Sequence, residues 1–405
     1  MDVRLSRRGL FRTGGLVALA ASLPAVAPGA AWAQEPASAS VFLGTAPDAG
    51  DERIRAKYGD RISTLFPHRG MVYYGYGDYS TNSGSQSGLG TNVSCYNPQT
   101  AAFEVQLQAY NTEAILVYRE LSGSLYTPAI DPHWGNASFA SNRSGQWTRA
   151  IGISGGEHIY DIAEGIDGEL FMCGSAGGGS WTIATVWRSL DGGASWEIFY
   201  QEAPEADQYR DGYERFYWMG RIGTKLYVKA DNGSSYAQMA PMRVFDLVTR
   251  QWATFSEGVF FDDGIGSGAG VVGAGNELFF LSYSMVYAFD GKNTRTVGRA
   301  GSIGVSDLGE VLLCGSDGAR LVQGTAVTTL AADVTGPATL VGDVLYHATG
   351  PDLYSRQVTR PAPGQAAPES GGGGKGKGPD HPSNQPGKGK GKGKGKDEGG
   401  SSVLI

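Results

Sequence analysis

The sequence predicts an all-β fold, a seven-bladed β-propeller of four-stranded blades followed by a disordered C-terminal tail. The first observation is composition: glycine supplies 63 of 405 residues, aromatic residues 11% and charged residues only 18%. Abundant glycine and aromatic side chains favour short strands joined by tight turns. Because 41% of the residues are hydrophobic, the chain can bury a core. The composition therefore excludes a coiled coil and a chain disordered throughout.

The second observation is a repeat. After a strand and a turn come a small or polar residue, any residue, and two hydrophobic residues. The copies begin at Gly70, Gly123, Gly168, Thr224, Asn276, Gly309 and Gly342. Their spacing of 33 to 56 residues leaves room for four strands each, which is typical of propeller blades. The last two spacings are short, so six or eight blades stay open, with a β-sandwich or β-solenoid as the alternative.

The third observation is a strand placed to close the ring. Residues 40–44 read as a strand that precedes the first full repeat. We expect this strand to pair with the last blade near residues 353–355, because the pairing would cover an edge strand that otherwise invites aggregation.

Charge divides the chain into three segments. Residues 1–33 and 361–405 each carry a net charge of +3, which leaves −13 on residues 34–360 when the whole chain carries −7. We predict a signal peptide, a propeller and a disordered tail over these three ranges. An acidic body argues against specific nucleic-acid binding, which needs clustered Lys and Arg.

The first segment has the pattern of a twin-arginine export signal. Arg7 and Arg8 precede an apolar stretch over residues 16–27, and Ala31-Trp32-Ala33 forms a small-x-small cleavage pattern. The apolar run is shorter than a membrane span and contains a proline, which favours a cleaved signal over an anchor. We expect an exported protein that is extracellular, periplasmic or cell-wall associated, with no transmembrane segment after cleavage.

The three cysteines do not form a disulfide framework, because their number is odd. Cys173 and Cys314 follow the hydrophobic pair in two different repeats. We predict that they occupy equivalent buried strand positions as small hydrophobic side chains. The third, Cys95, is assigned no chemistry, and no Cys/His spacing indicates zinc.

One local motif is specific. Residues 189–196 read Ser-Leu-Asp-Gly-Gly-Ala-Ser-Trp, a hairpin turn in which Asp191 can accept hydrogen bonds from loop amides and Trp196 can pack between sheets. The structural positions are Ser189, Asp191, Gly193, Ser195 and Trp196. The motif resembles the Asp-box of the sialidase-like, BNR-repeat propellers, where it marks the outer rim of a blade and not the ligand site. Sialidase activity is disfavoured, since Arg53-Ile54-Arg55 lacks the proline of the family's Arg-Ile-Pro motif.

The repeat register places candidate functional residues at one mouth of the propeller. In each blade the first strand begins on the face where the second strand ends. The start of the first strand lies about nine or ten residues before each repeat, and the loop after the second strand lies on the same face. The candidate catalytic residues are His133, His158, Arg215, Tyr213 and Tyr217. The candidate ligand-binding residues are Tyr76, Asp78, Glu113 and Trp134.

This set contains the three functions needed to cleave a uronate polymer by β-elimination. Arg215 suits neutralisation of the carboxylate, and His158 or His133 suits removal of the α-proton because imidazole titrates near neutrality. Tyr213 or Tyr217 suits protonation of the leaving oxygen. The arrangement resembles that of propeller polysaccharide lyases such as the ulvan lyases, which implies a secreted carbohydrate-active enzyme.

Other functions stay open. A glycoside hydrolase would use paired carboxylates such as Asp78 and Glu113, and a non-catalytic propeller would bind glycan or protein at the cell surface. The acidic body opposes a polyanionic substrate unless the mouth is locally positive. We expect no cofactor and no catalytic metal. Asp262 and Asp263 suggest a structural Ca²⁺ without a complete ligand pattern.

The tail is low in complexity. Residues 387–396 alternate glycine and lysine, a composition that cannot bury a core. We expect it to be a solubilising tail or to contact an anionic cell-wall polymer or extracellular nucleic acid.

Overall fold

A computed structural model describes most of the propeller segment. The described residues are 38–50, 61–77, 90–108, 112–130, 132, 138–153, 155–177, 183–202, 215–231, 242–255, 271–272, 276–282 and 284–362. Among them, no helix is long and apolar enough to cross a membrane.

The described chain is built from short strands, with one 3-10 helix, η1 (Pro47–Gly50), between the first two. The strands are β1 (Val41–Thr45), β2 (Thr64–His68), β3 (Met71–Gly75), β4 (Val93–Asn97), β5 (Ala102–Leu107), β6 (Arg119–Leu121), β7 (Ser124–Pro128), β8 (Ser138–Ser141), β9 (Thr148–Ile151), β10 (Gly156–Glu164), β11 (Leu170–Ala176), β12 (Ile183–Ser189), β13 (Glu197–Glu202), β14 (Arg215–Ile222), β15 (Lys225–Asp231), β16 (Met242–Asp246), β17 (Gln251–Phe255), β18 (Val271–Val272), β19 (Leu278–Ser282), β20 (Met285–Phe289), β21 (Thr294–Arg299), β22 (Ser302–Val305), β23 (Val311–Gly315), β24 (Gly318–Gln323), β25 (Ala326–Ala331), β26 (Ala338–Val341), β27 (Val344–Thr349) and β28 (Asp352–Gln357).

The strands form seven antiparallel sheets of four strands, so the predicted seven-bladed propeller is confirmed. Blades 1 to 6 each use four consecutive strands, from β2–β5 to β22–β25, and the spatial order equals the chain order. Blade 7 has the order β26-β27-β28-β1. The ring is therefore closed by its N-terminal strand.

That closure follows the predicted register. Val41 pairs with Ser355 and Phe42 with Tyr354, and a bulge then sets Gly44 opposite Leu353. Because β1 takes the outermost position of blade 7, it covers the edge that β28 would otherwise expose.

The seven-fold repeat marks the start of the second strand in each blade. In blades 1 and 2 a two-residue turn precedes it, with positive φ at Arg69 (50°) and Gly70 (77°) and at Ser122 (47°) and Gly123 (72°). Two successive residues with positive φ are the signature of type I′ turns, whose twist matches that of the flanking strands. The repeat is thus a hairpin signal, and the turns lie on one face of the propeller, named here the turn face. The opposite face, where β10 and β14 begin, is the mouth face.

The hydrophobic core lies between neighbouring blades. Phe171 of blade 3 and Phe245 of blade 4 are both fully buried, with ring centroids 6.1 Å apart, and Trp252 packs against the same cluster. Burying a phenylalanine stabilises the fold by about 1.5–3 kcal/mol. Such inter-blade packing holds each sheet against the next.

All three cysteines are buried, as predicted for Cys173 and Cys314. These two lie in β11 and β23, the second strands of their blades. Burial raises the pKa of Cys173 well above its usual range and raises that of Cys95 and Cys314 to about 12. The thiols are therefore protonated packing groups.

Candidate functional site

The described part of the mouth face brings four side chains into one cluster. The cluster consists of His158 and Tyr160 on β10 and Arg215 and Tyr217 on β14, and it is named here the mouth cluster. The rings of His158 and Tyr160 stack with centroids 5.9 Å apart and planes at 10°. Tyr160 and Tyr217 lie 4.6 Å apart, centroid to centroid. The Arg215 guanidinium donates a hydrogen bond to the Tyr160 hydroxyl. An imidazole, two phenols and a cation thus form a continuous array across two blades.

Two β-bulges aim the tyrosines. On β10, Ile159 pairs with Gly174 and Asp161 pairs with Cys173, so Tyr160 is the extra residue between them. On β14 the same irregularity leaves Tyr217 as the extra residue between Phe216 and Trp218. A bulge bends its strand and redirects the extra side chain. Matched bulges in adjacent inner strands therefore bring both phenols to the same place.

His158 has further polar contacts at its other end. Its Nδ1 is hydrogen-bonded to Ser175 Oγ at 3.1 Å, and Glu157 Oε2 lies 3.8 Å from the same nitrogen. Only 8% of His158 is exposed. The contacts at Nδ1 fix the ring orientation, as the partner of a functional imidazole commonly does.

A buried carboxylate next to the mouth cluster links the strands that carry it. Asp161, adjacent to Tyr160, accepts two hydrogen bonds from Arg119, both at 2.9 Å. It also accepts from the backbone amides of Ile162 (2.9 Å) and Met219 (3.2 Å). Burial raises the pKa of Asp161, and the Arg119 guanidinium opposes that rise. One side chain thus joins the inner strands of blades 2, 3 and 4 next to both bulges.

The structure brings together three of the predicted catalytic residues: His158, Arg215 and Tyr217. The remaining two, His133 and Tyr213, lie outside the described residues, as do the predicted ligand-binding residues Asp78 and Trp134. Tyr160 was not among the residues predicted from the sequence. The available signal was alternation, since residues two apart on a strand project to one face.

Tyr76 follows β3 of blade 1 and Glu113 precedes β6 of blade 2, so neither is on the two strands that carry the mouth cluster. Tyr76 is only 1% exposed and packs in the core between blades 7 and 1. Glu113 is 8% exposed, and its carbonyl oxygen accepts a hydrogen bond from Thr91. Their ligand-binding role stays a prediction.

The Ser189–Trp196 turn has the internal bonding expected from its residues. Asp191 accepts hydrogen bonds from the Ser189 hydroxyl (2.7 Å) and from the Ser195 amide (2.9 Å) and hydroxyl (2.6 Å). These bonds, led by the Ser195 hydroxyl, hold the pKa of Asp191 well below its usual range. Trp196 meets Phe139 of blade 2 edge to face, with centroids 5.5 Å apart. The turn joins the two outer strands of blade 3 on the turn face, so its role is structural; membership of the Asp-box family stays a prediction.

A cavity of about 620 Å³ lies at the turn-face ends of the first strands of several blades. Its polar lining groups bind within the protein: Arg119 holds Asp161, Ser122 donates to Glu164, and Asp307 pairs with Arg360 at 2.6 Å. The groups of the mouth cluster are also bonded within the protein, and we take that cluster as the candidate ligand site because it combines an imidazole, two phenols and a guanidinium in one array.

Within the described ranges, no group of three or more His, Cys, Asp or Glu is placed to hold a metal ion. The predicted Ca²⁺ loop at Asp262 and Asp263 lies outside those ranges.

Comparison with known proteins gives fold-level similarity only. No family model and no curated protein matches the chain. The propeller domain of the Trilobed protease from Pyrococcus furiosus matches with 13% identity and a TM-score of 0.45, covering 75% of this chain and 94% of that one. An α-L-arabinofuranosidase from Fusarium graminearum gives 16% identity and a TM-score of 0.36, covering 60% and 91%. The extracellular domain of a one-component system from B. thetaiotaomicron matches with 9% identity and a TM-score of 0.40. The match covers 70% of this chain but only 40% of the length of that one. These similarities do not assign an activity.

Proposed function

We propose that the protein is an exported carbohydrate-active propeller that binds an acidic polysaccharide at its mouth face and cleaves it by β-elimination. The single observation that carries this proposal is the mouth cluster, in which a histidine, two tyrosines and an arginine meet across blades 3 and 4. Similar structures include an arabinofuranosidase, an arabinanase and a gluconolactonase, but their similarity is too low to indicate a substrate.

Each side chain has a role that follows from its chemistry. Arg215 pairs with the uronate carboxylate and stabilises the negative charge that develops when the neighbouring carbon loses its proton. His158 accepts that proton, because an imidazole nitrogen can act as a general base. The electron pair forms the new carbon–carbon double bond, the glycosidic C–O bond breaks, and Tyr217 or Tyr160 donates a proton to the leaving oxygen.

The charge of the body limits where such a substrate can bind. Residues 34–360 carry −13, which repels a polyanion at long range. Salt screens such repulsion over about 10 Å, so contact charges dominate once the chain is bound. Arg215 supplies that local positive charge within the cluster.

A second candidate is a binding propeller without catalysis. It is favoured by the burial of His158 and Tyr160, each 8% exposed, because a base must reach the substrate carbon. A binding platform needs only the more exposed Tyr217 ring and Arg215, on which a sugar ring can stack and a carboxylate can pair. A sialidase-type hydrolase is the weakest candidate, since its arginine motif is incomplete.

The test is incubation with uronate polymers and sialylated glycans, followed by ultraviolet absorbance for unsaturated uronate and a reducing-end assay. We expect unsaturated uronate to form, and its rate of formation to be about 10²–10⁴-fold lower in His158→Gln. The matched control is His68→Gln, since His68 lies on the turn face bonded to Glu120 (2.9 Å) and Asn142 (3.1 Å). Reducing ends without absorbance would favour a hydrolase. Retention on glycan without either product would favour the binding propeller.

A further inference from the structure

Three of the charged side chains that line the 620 Å³ cavity on the turn face occupy the same position in neighbouring blades. They are Glu120 on β6, Glu164 on β10 and Arg221 on β14. Each lies directly opposite the leucine of the hairpin repeat in its own blade: Leu125, Leu170 and Leu226, respectively. The equal register places the three side chains at one level of the inner strands of blades 2, 3 and 4. The cavity is named here the turn-face cavity.

The same position is apolar in two other blades. Pro67 lies opposite Val72 in blade 1, and Val305 lies opposite Val311 in blade 6. Both Pro67 and Val305 line the turn-face cavity, and Phe66 lines it beside Pro67. One level of the cavity therefore carries charges on blades 2 to 4 and apolar side chains on blades 1 and 6.

Glu120 is hydrogen-bonded to a neutral histidine. The Oδ1 atom of Asn142 accepts from the Leu125 amide at 2.7 Å, so the Nδ2 atom of Asn142 is the one that faces His68 Nε2, at 3.1 Å. This imidazole nitrogen therefore accepts, and the ring proton lies on Nδ1, which donates to Glu120 at 2.9 Å. A neutral ring leaves the negative charge of Glu120 uncompensated, and 46% of that side chain is exposed.

Glu164 and Arg221 likewise have neutral partners. The Ser122 hydroxyl donates to Glu164, and the Arg221 guanidinium donates to the carbonyl oxygen of Gly165. Among the residues that the structure describes, no ion pair joins Arg221 to Glu164 or to Glu120. Hydrogen bonding within the protein thus leaves the charges of both carboxylates and of this guanidinium uncompensated.

The other charged residues of the cavity wall have ion-pair partners of their own. Arg119 pairs with the buried Asp161 at 2.9 Å, and Asp307 pairs with Arg360 at 2.6 Å. Two negative charges on blades 2 and 3 and one positive charge on blade 4 stay available to a ligand. A purely cationic ligand would face the like charge of Arg221, and a purely anionic one would face both glutamates. A molecule with one ammonium and one carboxylate group complements all three.

We propose that the turn-face cavity binds a small zwitterion with an apolar body, the chemistry shared by apolar α-amino acids and short apolar peptides. Its ammonium group pairs with Glu120 and Glu164, its carboxylate pairs with Arg221, and its apolar part packs against Pro67 and Val305. Charge-assisted hydrogen bonds of this kind are stronger than neutral ones. The volume of about 620 Å³ lies within the range of about 300–1,000 Å³ that is usual for small-molecule sites. This inference does not depend on whether the mouth cluster is catalytic.

Isothermal titration calorimetry of the full chain tests the site. The probes are L-leucine and L-leucyl-L-leucine, and the stronger binder distinguishes a free amino acid from a peptide. Each is compared with an analogue that lacks the carboxylate (isoamylamine or the dipeptide amide) and one that lacks the ammonium (4-methylpentanoate or the N-acetyl dipeptide). We expect saturable binding of at least one zwitterion and affinities at least about ten-fold lower for its analogues. No saturable binding of either zwitterion, or an analogue that binds as tightly as its zwitterion, would overturn the proposal.

Variants then assign each charge to its partner. Arg221→Gln should lower the affinity for the zwitterion about ten-fold and leave the affinity for the analogue without a carboxylate unchanged, because the lost pair is absent from both. Glu164→Gln should give the same result with the analogue that lacks the ammonium. Arg221→Lys keeps the positive charge and should restore most of the affinity. The matched control is Glu197→Gln, which removes an exposed carboxylate from the outer strand of blade 3 and should bind as the natural chain does.

Thermal unfolding of each variant separates binding from folding. The Gln variants and the control are expected to unfold within a few degrees of the natural chain, since each keeps a polar side chain of similar size. Equal loss of affinity for the zwitterion and for both of its analogues would show a structural effect and contradict the assigned pairs. Loss of zwitterion binding in Glu197→Gln would place the ligand outside the turn-face cavity.

Discussion

Tyr160 and Tyr217 are each the extra residue of a β-bulge in neighbouring inner strands, and their rings lie 4.6 Å apart. The extra residue of a bulge is left out of the hydrogen-bond ladder, which disrupts regular strand pairing. Two such bulges side by side place these two side chains where regular strands would not. The consequence is an aromatic pair that joins His158 on one side to Arg215 on the other.

The first prediction concerns the hydroxyl that joins this pair to the cation. Tyr160→Phe keeps the ring stack on His158 and the tilted ring contact with Tyr217 but removes the acceptor that orients Arg215. We expect glycan affinity to fall about ten-fold while the free energy of unfolding changes by about 1 kcal/mol or less. Affinity electrophoresis and urea unfolding measure the two quantities. Unchanged affinity would show that Arg215 does not need Tyr160.

The hairpin repeat made the fold predictable. Its turns require positive φ at residues such as Gly70 and Gly123. A short local pattern therefore marks where the second strand of each blade begins. The pairing of β1 with β28 was predictable as well, because an unpaired strand at each chain end leaves one way to close the ring.

The mouth cluster was only partly predictable. Counting back a fixed number of residues from the repeat assumes that the turn between the first and second strands has the same length in every blade. Five residues, 165–169, connect β10 to β11, whereas two residues, 223 and 224, connect β14 to β15. The same count from the repeat therefore reaches structurally different positions in different blades. Bulges shift the register again at Tyr160 and Tyr217. Asp161 was missed for another reason: its partners, Arg119 and Met219, come from other blades.

The second prediction concerns that carboxylate. Asp161→Asn leaves the largely buried Arg119 without its charged partner and should lower the free energy of unfolding by about 3–5 kcal/mol. The matched control is Glu197→Gln, which removes a carboxylate 57% exposed that pairs with Arg188, and whose loss should cost about 1 kcal/mol or less. Urea unfolding measures both variants. Equal effects would show that Asp161 does not act as a buried tie between blades.

The third prediction concerns pH and ring closure. His347 stacks on Tyr354 with centroids 5.3 Å apart, and its Nε2 lies 2.9 Å from the Ser40 hydroxyl just before β1. Burial lowers the pKa of His347; Asp333 opposes this and Arg356 adds to it. The unfolded chain therefore takes up this proton at a higher pH than the folded one, so the stabilisation is complete above the unfolded pKa of about 6.5 and declines as pH falls below it.

His347→Gln removes that titration. We expect the stability of the natural chain to fall more steeply than that of the variant between pH 7 and pH 5, as measured by urea unfolding. The protection factors of the β1 amides, which correct hydrogen exchange for its intrinsic pH dependence, should fall over the same range in the natural chain. Parallel pH profiles for the two proteins would rule out His347 as the group that senses pH.

The last prediction concerns the N-terminal strand as the cover of an edge. Removing residues 1–45 deletes β1 and leaves β28 with a row of unpaired amides and carbonyls, which can pair with another chain. We expect this protein to unfold at a lower temperature and to self-associate, whereas removal of residues 1–37 leaves every described strand in place and should change neither property. Thermal unfolding and size-exclusion chromatography with light scattering distinguish the two. If the shorter protein stayed monomeric and equally stable, three strands would suffice for blade 7, and the pairing of Val41 with Ser355 would contribute no stability to the closed ring.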